Sequence, residues 1–294
     1  MAAALRRAPP AGLPARAWLA DTPFFPDADT LCGPAVLASL LSAAGRPADP
    51  QALRPQIYLP GRRGTLQLEM LAGARRHGRL AVALAPRLGD ALQEVAAGRP
   101  VGVLVNLALP WWPRWHYAVL TGYDLAQGTL RLHSGLHRHQ TWTLTAFEHT
   151  WARSGHWAFV VLPPGALPAT ADEARTLEAL LALDRAADPA DAAPAWAAAA
   201  RRWPSRLTPA IGEGNAWLAA GRLDAAADAF TRAATRLDSA AAWNNLARVE
   251  LRRGRPAEAR AAARRAVDRA DAAEPRWREA ARRTLALAEG RTAP

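Results

Sequence analysis

Lysine is absent from this 294-residue chain, and all 37 basic side chains are arginine. Against 26 carboxylates they leave a formal net charge of +11. The arginines are spread over helix faces rather than gathered into one motif, and no recognised nucleic-acid-binding motif accompanies them. The charge reads as a solvated basic surface, so nucleic acid is not an expected partner. Together with abundant Ala, Pro and Gly, the arginine bias reads as GC-rich coding. Cysteine is nearly absent too. The single Cys32 excludes an intramolecular disulfide, and nothing demands an oxidising compartment. Long apolar runs are also missing. The N-terminal MAAALRRAPPAGLPARAWLA is broken by prolines before any signal-like core forms. No later stretch reaches the roughly 18 apolar residues that span a bilayer. The sequence as written is therefore expected to be soluble and cytoplasmic, or exported or membrane-associated if an upstream start adds a signal. The histidines do not pair with acids at a zinc spacing and no second cysteine exists, so neither a metal nor a cofactor is expected.

Half the residues are hydrophobic, enough for a core in each of two parts. Composition shifts at PPGALPATAD, which reads as a linker over 164–172 between a domain at 18–163 and a helical part at 173–290. In the first part, GPAVLASLLSAA (33–44) predicts a buried helix, with Pro34 suited to its first turn. A second helix is expected near 66–77, a short strand at 80–85 and a helix at 90–97. Strands are expected at 101–107, 116–123, 129–133, 140–144 and 157–162. Helices first and antiparallel strands later make an α+β domain.

The second part repeats itself. Gly221 matches Gly254, Ala226 matches Ala259, Phe230 matches Ala263 and Ala233 matches Ala266, each 33 residues apart. A period near 34, with small residues where two helices cross, resembles the tetratricopeptide repeat. Three units are read, at 173–206, 207–239 and 240–273, with a capping helix near 274–289. Such an all-α solenoid, in which neighbours stack to bury apolar faces, is expected to bind a protein partner. A plain helical bundle is the alternative.

Cys32 stands just ahead of the first helix in LCGPAVLASLL. Free N–H groups and the helix dipole at that point are expected to favour a thiolate and to hold a developing oxyanion. His116 opens an apolar strand in HYAVLTGYD, a rigid platform for a general base. Trp111, Trp112 and Trp115 precede it on an expected loop. They either pack on the sheet or line a substrate cleft; the cleft candidates are Gly33, Trp112 and Trp115.

These residues carry a resemblance. FFPDADTLCGPAVL, with WHYAVLTGYD placing His116 84 positions after Cys32, resembles the bacteriocin-processing (double-glycine) cysteine peptidases and their relatives. There Cys-Gly-Pro-Ala begins the catalytic helix and His-Tyr-x-Val the catalytic strand. The segment YLPGRRGTLQLEMLAGARRHG fits a subgroup with a tetratricopeptide tail. The resemblance implies a papain-like fold with Cys32 as nucleophile and His116 as base. Two positions depart from the pattern. The family's oxyanion-hole Gln, five or six residues before the cysteine, falls here on Asp27 and Pro26. The family's imidazole-orienting Asp, in an Asp-Pro pair, falls on Ser134 and Gly135. Ser134 is then the third catalytic candidate, and Asp27 with the Cys32 backbone N–H forms the oxyanion corner. The function expected is a cysteine peptidase acting on a peptide or protein. The alternatives are a catalytically degenerate peptide-binding scaffold and acyl transfer by the same Cys–His pair.

Overall fold

A computed structural model of the chain describes residues 1–27 and 31–290, and divides it into two compact units, Met1–Ala187 and Asp188–Pro294. The first unit begins with α1 (Ala2–Arg7) and β1 (Arg16–Trp18). Three helices and a minimal hairpin follow: α2 (Cys32–Ala43), α3 (Pro50–Ile57), β2 (Tyr58–Leu59), β3 (Gly64–Thr65) and α4 (Gln67–Arg76). Then come β4 (Leu80–Ala83), α5 (Leu88–Ala96), β5 (Val101–Asn106), β6 (Trp115–Asp124), β7 (Thr129–Ser134), β8 (His137–Thr143), α6 (Leu144–Ala152), β9 (Ala158–Leu162) and α7 (Glu173–Asp184). Apart from β2 and β3, which pair only with each other, the strands form one antiparallel sheet in the order β4-β9-β5-β6-β7-β8. The short β1 pairs with Gly122–Asp124 of β6, beyond the end of β5. This is the α+β architecture expected from the sequence.

Local chemistry explains the layers. Helix α2 is apolar on nearly every side, and Gly33 through Leu41 are all buried. A helix that apolar must be covered all round. Its Leu37, Leu40 and Leu41 share one core with Met70 of α4, Tyr117 and Val119 of β6, and Phe159 and Val161 of β9. Alternate strand residues such as Ala118, Leu120 and Val160 point to the other sheet face, where α5 and α6 pack. Gly102 allows strands β5 and β9 to accommodate Phe159, since a Cβ there would lie 2.2 Å from the ring.

The stretch anticipated as a linker is fastened down. The buried Glu94 carboxylate accepts from the backbone N–H groups of Ala169 and Thr170, from the Thr170 hydroxyl, and from Arg99. Helix α7 beyond it packs on β4 and α4, within the first unit.

The second unit is helical: α8 (Pro189–Arg202), α9 (Leu207–Ala219), α10 (Leu223–Leu237), α11 (Ala240–Arg252), α12 (Pro256–Ala272) and α13 (Arg278–Ala288). Consecutive helices pack against each other. Gly212 and Gly214 of α9 lie under Trp196 of α8 and Phe230 of α10, where an added Cβ would stand 2.4 Å from either ring. Small residues thus set the helix crossings, as the repeat pattern predicts. Gly221 and Gly254, one repeat apart, both end helices at φ of 71°. Among the described residues no helix is long and apolar enough to cross a membrane.

Candidate active site

Three elements meet at Cys32. Helix α2 begins there, with Leu31 as its N-cap. No side chain of the N-cap closes the helix start. Instead the Asp27 carboxylate accepts from Leu31 N–H at 3.0 Å, and Asp27 N–H donates to Gly135 O at 3.1 Å. These two bonds tie the chain before the helix to the turn after β7. Residues 28–30 lie outside the described residues. From the other side the β2–β3 hairpin comes close: a Cβ on Gly33 would stand 2.5 Å from Thr65 Oγ1. Tyr117 Oη donates to Thr65 O at 3.1 Å, which anchors the hairpin to β6.

His116 sits near the start of β6, opposite Val105 of β5. Its Nε2 lies 3.0 Å from Ser134 Oγ, at the end of β7. With Nε2–H donating to that hydroxyl, Nδ1 is the ring nitrogen left to act as a base. Backbone N–H groups of Tyr117, Gly33 and Cys32 itself favour the thiolate form of the Cys32 sulfur. Cys32, His116, Ser134 and Asp27 all line one cavity of about 360 Å³, with Trp115 and Gln140 among its other walls.

The electrostatics correct one expectation. The helix start was expected to lower the cysteine pKa. Burial pushes the Cys32 thiol up instead, and the Asp27 charge adds to this, outweighing the N–H groups that favour the thiolate. Burial likewise pushes His116 down; Asp27 opposes that shift and Arg114 adds to it. Both shifts favour the neutral thiol and neutral imidazole over an ion pair. A Ser134 hydroxyl orients the ring but supplies no charge to hold an imidazolium.

A larger cavity of about 730 Å³ opens on the hairpin side of Cys32. Gly33, Thr65, Trp115 and Tyr117 line it. Of the expected cleft residues, Gly33 and Trp115 therefore face this space. Trp112 does not line it, and both Trp111 and Trp112 stand out into solvent, 77% and 78% exposed. Their loop is shaped by Asn106, a residue the sequence did not single out. This nearly fully buried side chain accepts from Ala108 N–H at 3.0 Å and Arg114 N–H at 2.9 Å. An asparagine ending an apolar strand before a Pro-flanked loop is the signal that marks it. Among the described residues no group of three or more His, Cys, Asp or Glu converges as a metal site.

Comparison with known proteins adds the following. The tetratricopeptide-repeat family model matches residues 177–241 and 212–275. The helical part carries tetratricopeptide repeats. No curated protein matches the chain. Among solved structures, the chain is similar to one described as a C39-like peptidase from Bacillus anthracis, at 21% identity and a TM-score of 0.42, covering 50% of this chain and 97% of that one. It is similar to the peptidase domain of Streptococcus ComA, a bi-functional ABC transporter of a quorum-sensing pathway, at 21% identity, TM-score 0.41, and coverage of 48% and 98%. A thermophilic tetratricopeptide-repeat protein of Thermus thermophilus is similar at 22% identity, TM-score 0.33, and coverage of 40% and 64%.

Proposed function

We propose that the first unit is a cysteine peptidase with Cys32 as nucleophile, His116 as general base and Ser134 as the group that orients the imidazole. The observation that carries this reading is the His116 Nε2–Ser134 Oγ contact at 3.0 Å, which reserves Nδ1 as the proton acceptor. With burial favouring a neutral resting pair, the thiol proton moves to Nδ1 as the sulfur attacks the peptide carbonyl. The backbone N–H at the start of α2 receives the developing oxyanion. Collapse expels the amine, which takes the proton back from His116. Water, deprotonated by His116, then adds to the thioester and releases the acid and the thiol. The repeats are proposed to bring a protein partner or substrate to this unit.

A second reading, a peptide-binding scaffold with little turnover, is favoured by one observation. Among the described residues Asp27 is the only carboxylate lining the cavities around Cys32, and its charge opposes the thiolate. Proteome-derived peptides incubated with the wild type and with Cys32→Ala separate the two. Cleavage by the wild type alone supports the peptidase. Equal cleavage by both removes Cys32 from the chemistry. Binding without cleavage by either supports the scaffold.

A further inference from the structure

Among the described residues, the lining of the cavity on the hairpin side of Cys32 has a charge of one sign: it includes Arg62, Arg63 and Arg153 and no carboxylate. Arg153 is engaged: its guanidinium donates to the carbonyls of Asn106 and Ala108. Arg62 and Arg63 have no carboxylate partner among the described residues. Both belong to the turn of the β2–β3 hairpin, and that turn is held in place. The strands pair Tyr58 with Thr65 and Leu59 with Gly64. Thr65 is bonded to Tyr117 and pressed against Gly33, next to the nucleophile.

The turn also keeps its arginine at an unfavourable backbone position. Arg63 is left-handed, at φ 48° and ψ 40°, a conformation that favours glycine or asparagine. Gly61, the glycine of the same turn, does not occupy that position. A residue held in such a conformation beside a reactive group points to use of its side chain.

We propose that this cavity selects substrates carrying a carboxylate side chain, which Arg62 and Arg63 bind on the hairpin side of the scissile bond. The proposal rests on the peptidase reading for its link to turnover, but not for binding. Two charge pairs to these exposed arginines, each of the modest size usual for such sites, give a preference of about three- to tenfold over a neutral isostere. Screening reduces it as salt is raised.

The probes are pools of fluorescent nonapeptides that differ only in a fixed Glu or a fixed Gln, with the fixed position moved along the peptide. Cleavage is read by mass spectrometry for the wild type and for a doubly substituted Arg62→Gln, Arg63→Gly protein. Glutamate at one position is expected to raise the wild-type rate by about three- to tenfold at low salt. That gain is expected to shrink in about 1 M salt and to vanish in the double variant. Glycine suits a left-handed position, so the melting temperature of Arg63→Gly is expected to stay level or rise, which separates lost selectivity from unfolding. Equal Glu and Gln rates in the wild type, or selectivity surviving in the double variant, overturn the proposal. If no pool is cleaved, the peptidase reading fails by itself. Fluorescence anisotropy of the same pools on Cys32→Ala then decides: a Glu preference lost in the arginine variants supports the proposal, and its absence overturns it.

Discussion

Replacing Ser134 by aspartate tests the neutral-pair account directly. Ser134 Oγ stands 3.0 Å from His116 Nε2, so a carboxylate in its place lies within reach of the ring. A carboxylate and an imidazolium about 4 Å apart attract by about 4 kcal/mol at an effective dielectric of 20. Ser134 is only 9% exposed, so burying the new charge takes back much of this. A net of about 1–2 kcal/mol multiplies the thiolate–imidazolium population by about five- to thirtyfold. The thiolate so stabilised is a weaker nucleophile, which trims the gain in alkylation to about three- to tenfold at pH 7. The assay is the second-order rate of Cys32 alkylation by iodoacetamide, followed by intact mass between pH 5 and 10. The wild type is expected to react through a single rise at high pH. Ser134→Asp is expected to gain a shoulder below pH 8. A variant that keeps its far-UV spectrum but alkylates with the wild-type profile refutes the reasoning, because His116 is then not coupled to Cys32.

Asp27→Asn keeps an acceptor for Leu31 N–H while removing the charge that raises the thiol pKa. Faster alkylation of Cys32 at pH 8 is expected, with peptide turnover rising by up to about a hundredfold if the new amide donates to the oxyanion. His133 is buried; its Nε2–H donates to Thr22 O and its Nδ1 accepts from His139 N–H, and the second bond requires the neutral ring. Burial pushes its pKa down to about 4 against the Thr22 carbonyl, with His139 and Arg138 adding to the shift. The unfolded chain takes up this proton near pH 6.5, so the group leaves stability untouched above pH 6.5. As pH falls from 6.5 to 4 it removes about 3 kcal/mol, a slope that urea titrations of His133→Gln are expected to flatten. Gly214→Ala drives a Cβ into the Phe230 ring and is expected to cost about 1–2 kcal/mol of helical-unit stability by denaturant melts, despite the better helix propensity of alanine.

The sequence made the large periodic elements legible. The helix after Cys32, the strands from Val101 to Ser134 and the helix pairs of the repeats stand within a few residues of their expected places. Ser134 was legible as the neighbour of His116 through the family resemblance, which puts the imidazole-orienting group at the end of the next strand. Elements too short to show a period were not read. The two-residue strands β2 and β3, which bring Arg62 and Arg63 to the cleft, look like a Pro-Gly turn in sequence. The three-residue β1 has no signal apart from its partner strand. Burial at the helix start was equally invisible, and it reverses the direction in which the Cys32 thiol shifts. Segment 164–172 reads as a linker by composition, yet its N–H groups close on Glu94, a long-range partner that local sequence cannot announce.

The most direct test of the Cys32–His116 pair is capture of its covalent intermediate. A peptide with an activated C-terminal ester, mixed with the wild type, Cys32→Ala and His116→Ala, is followed by intact-mass and fragment mass spectrometry. Acylation at Cys32 in the wild type, none in Cys32→Ala and at least about a hundredfold slower labelling in His116→Ala are the predicted results. Acylation elsewhere on the chain, or equal labelling of Cys32 without His116, contradicts the account.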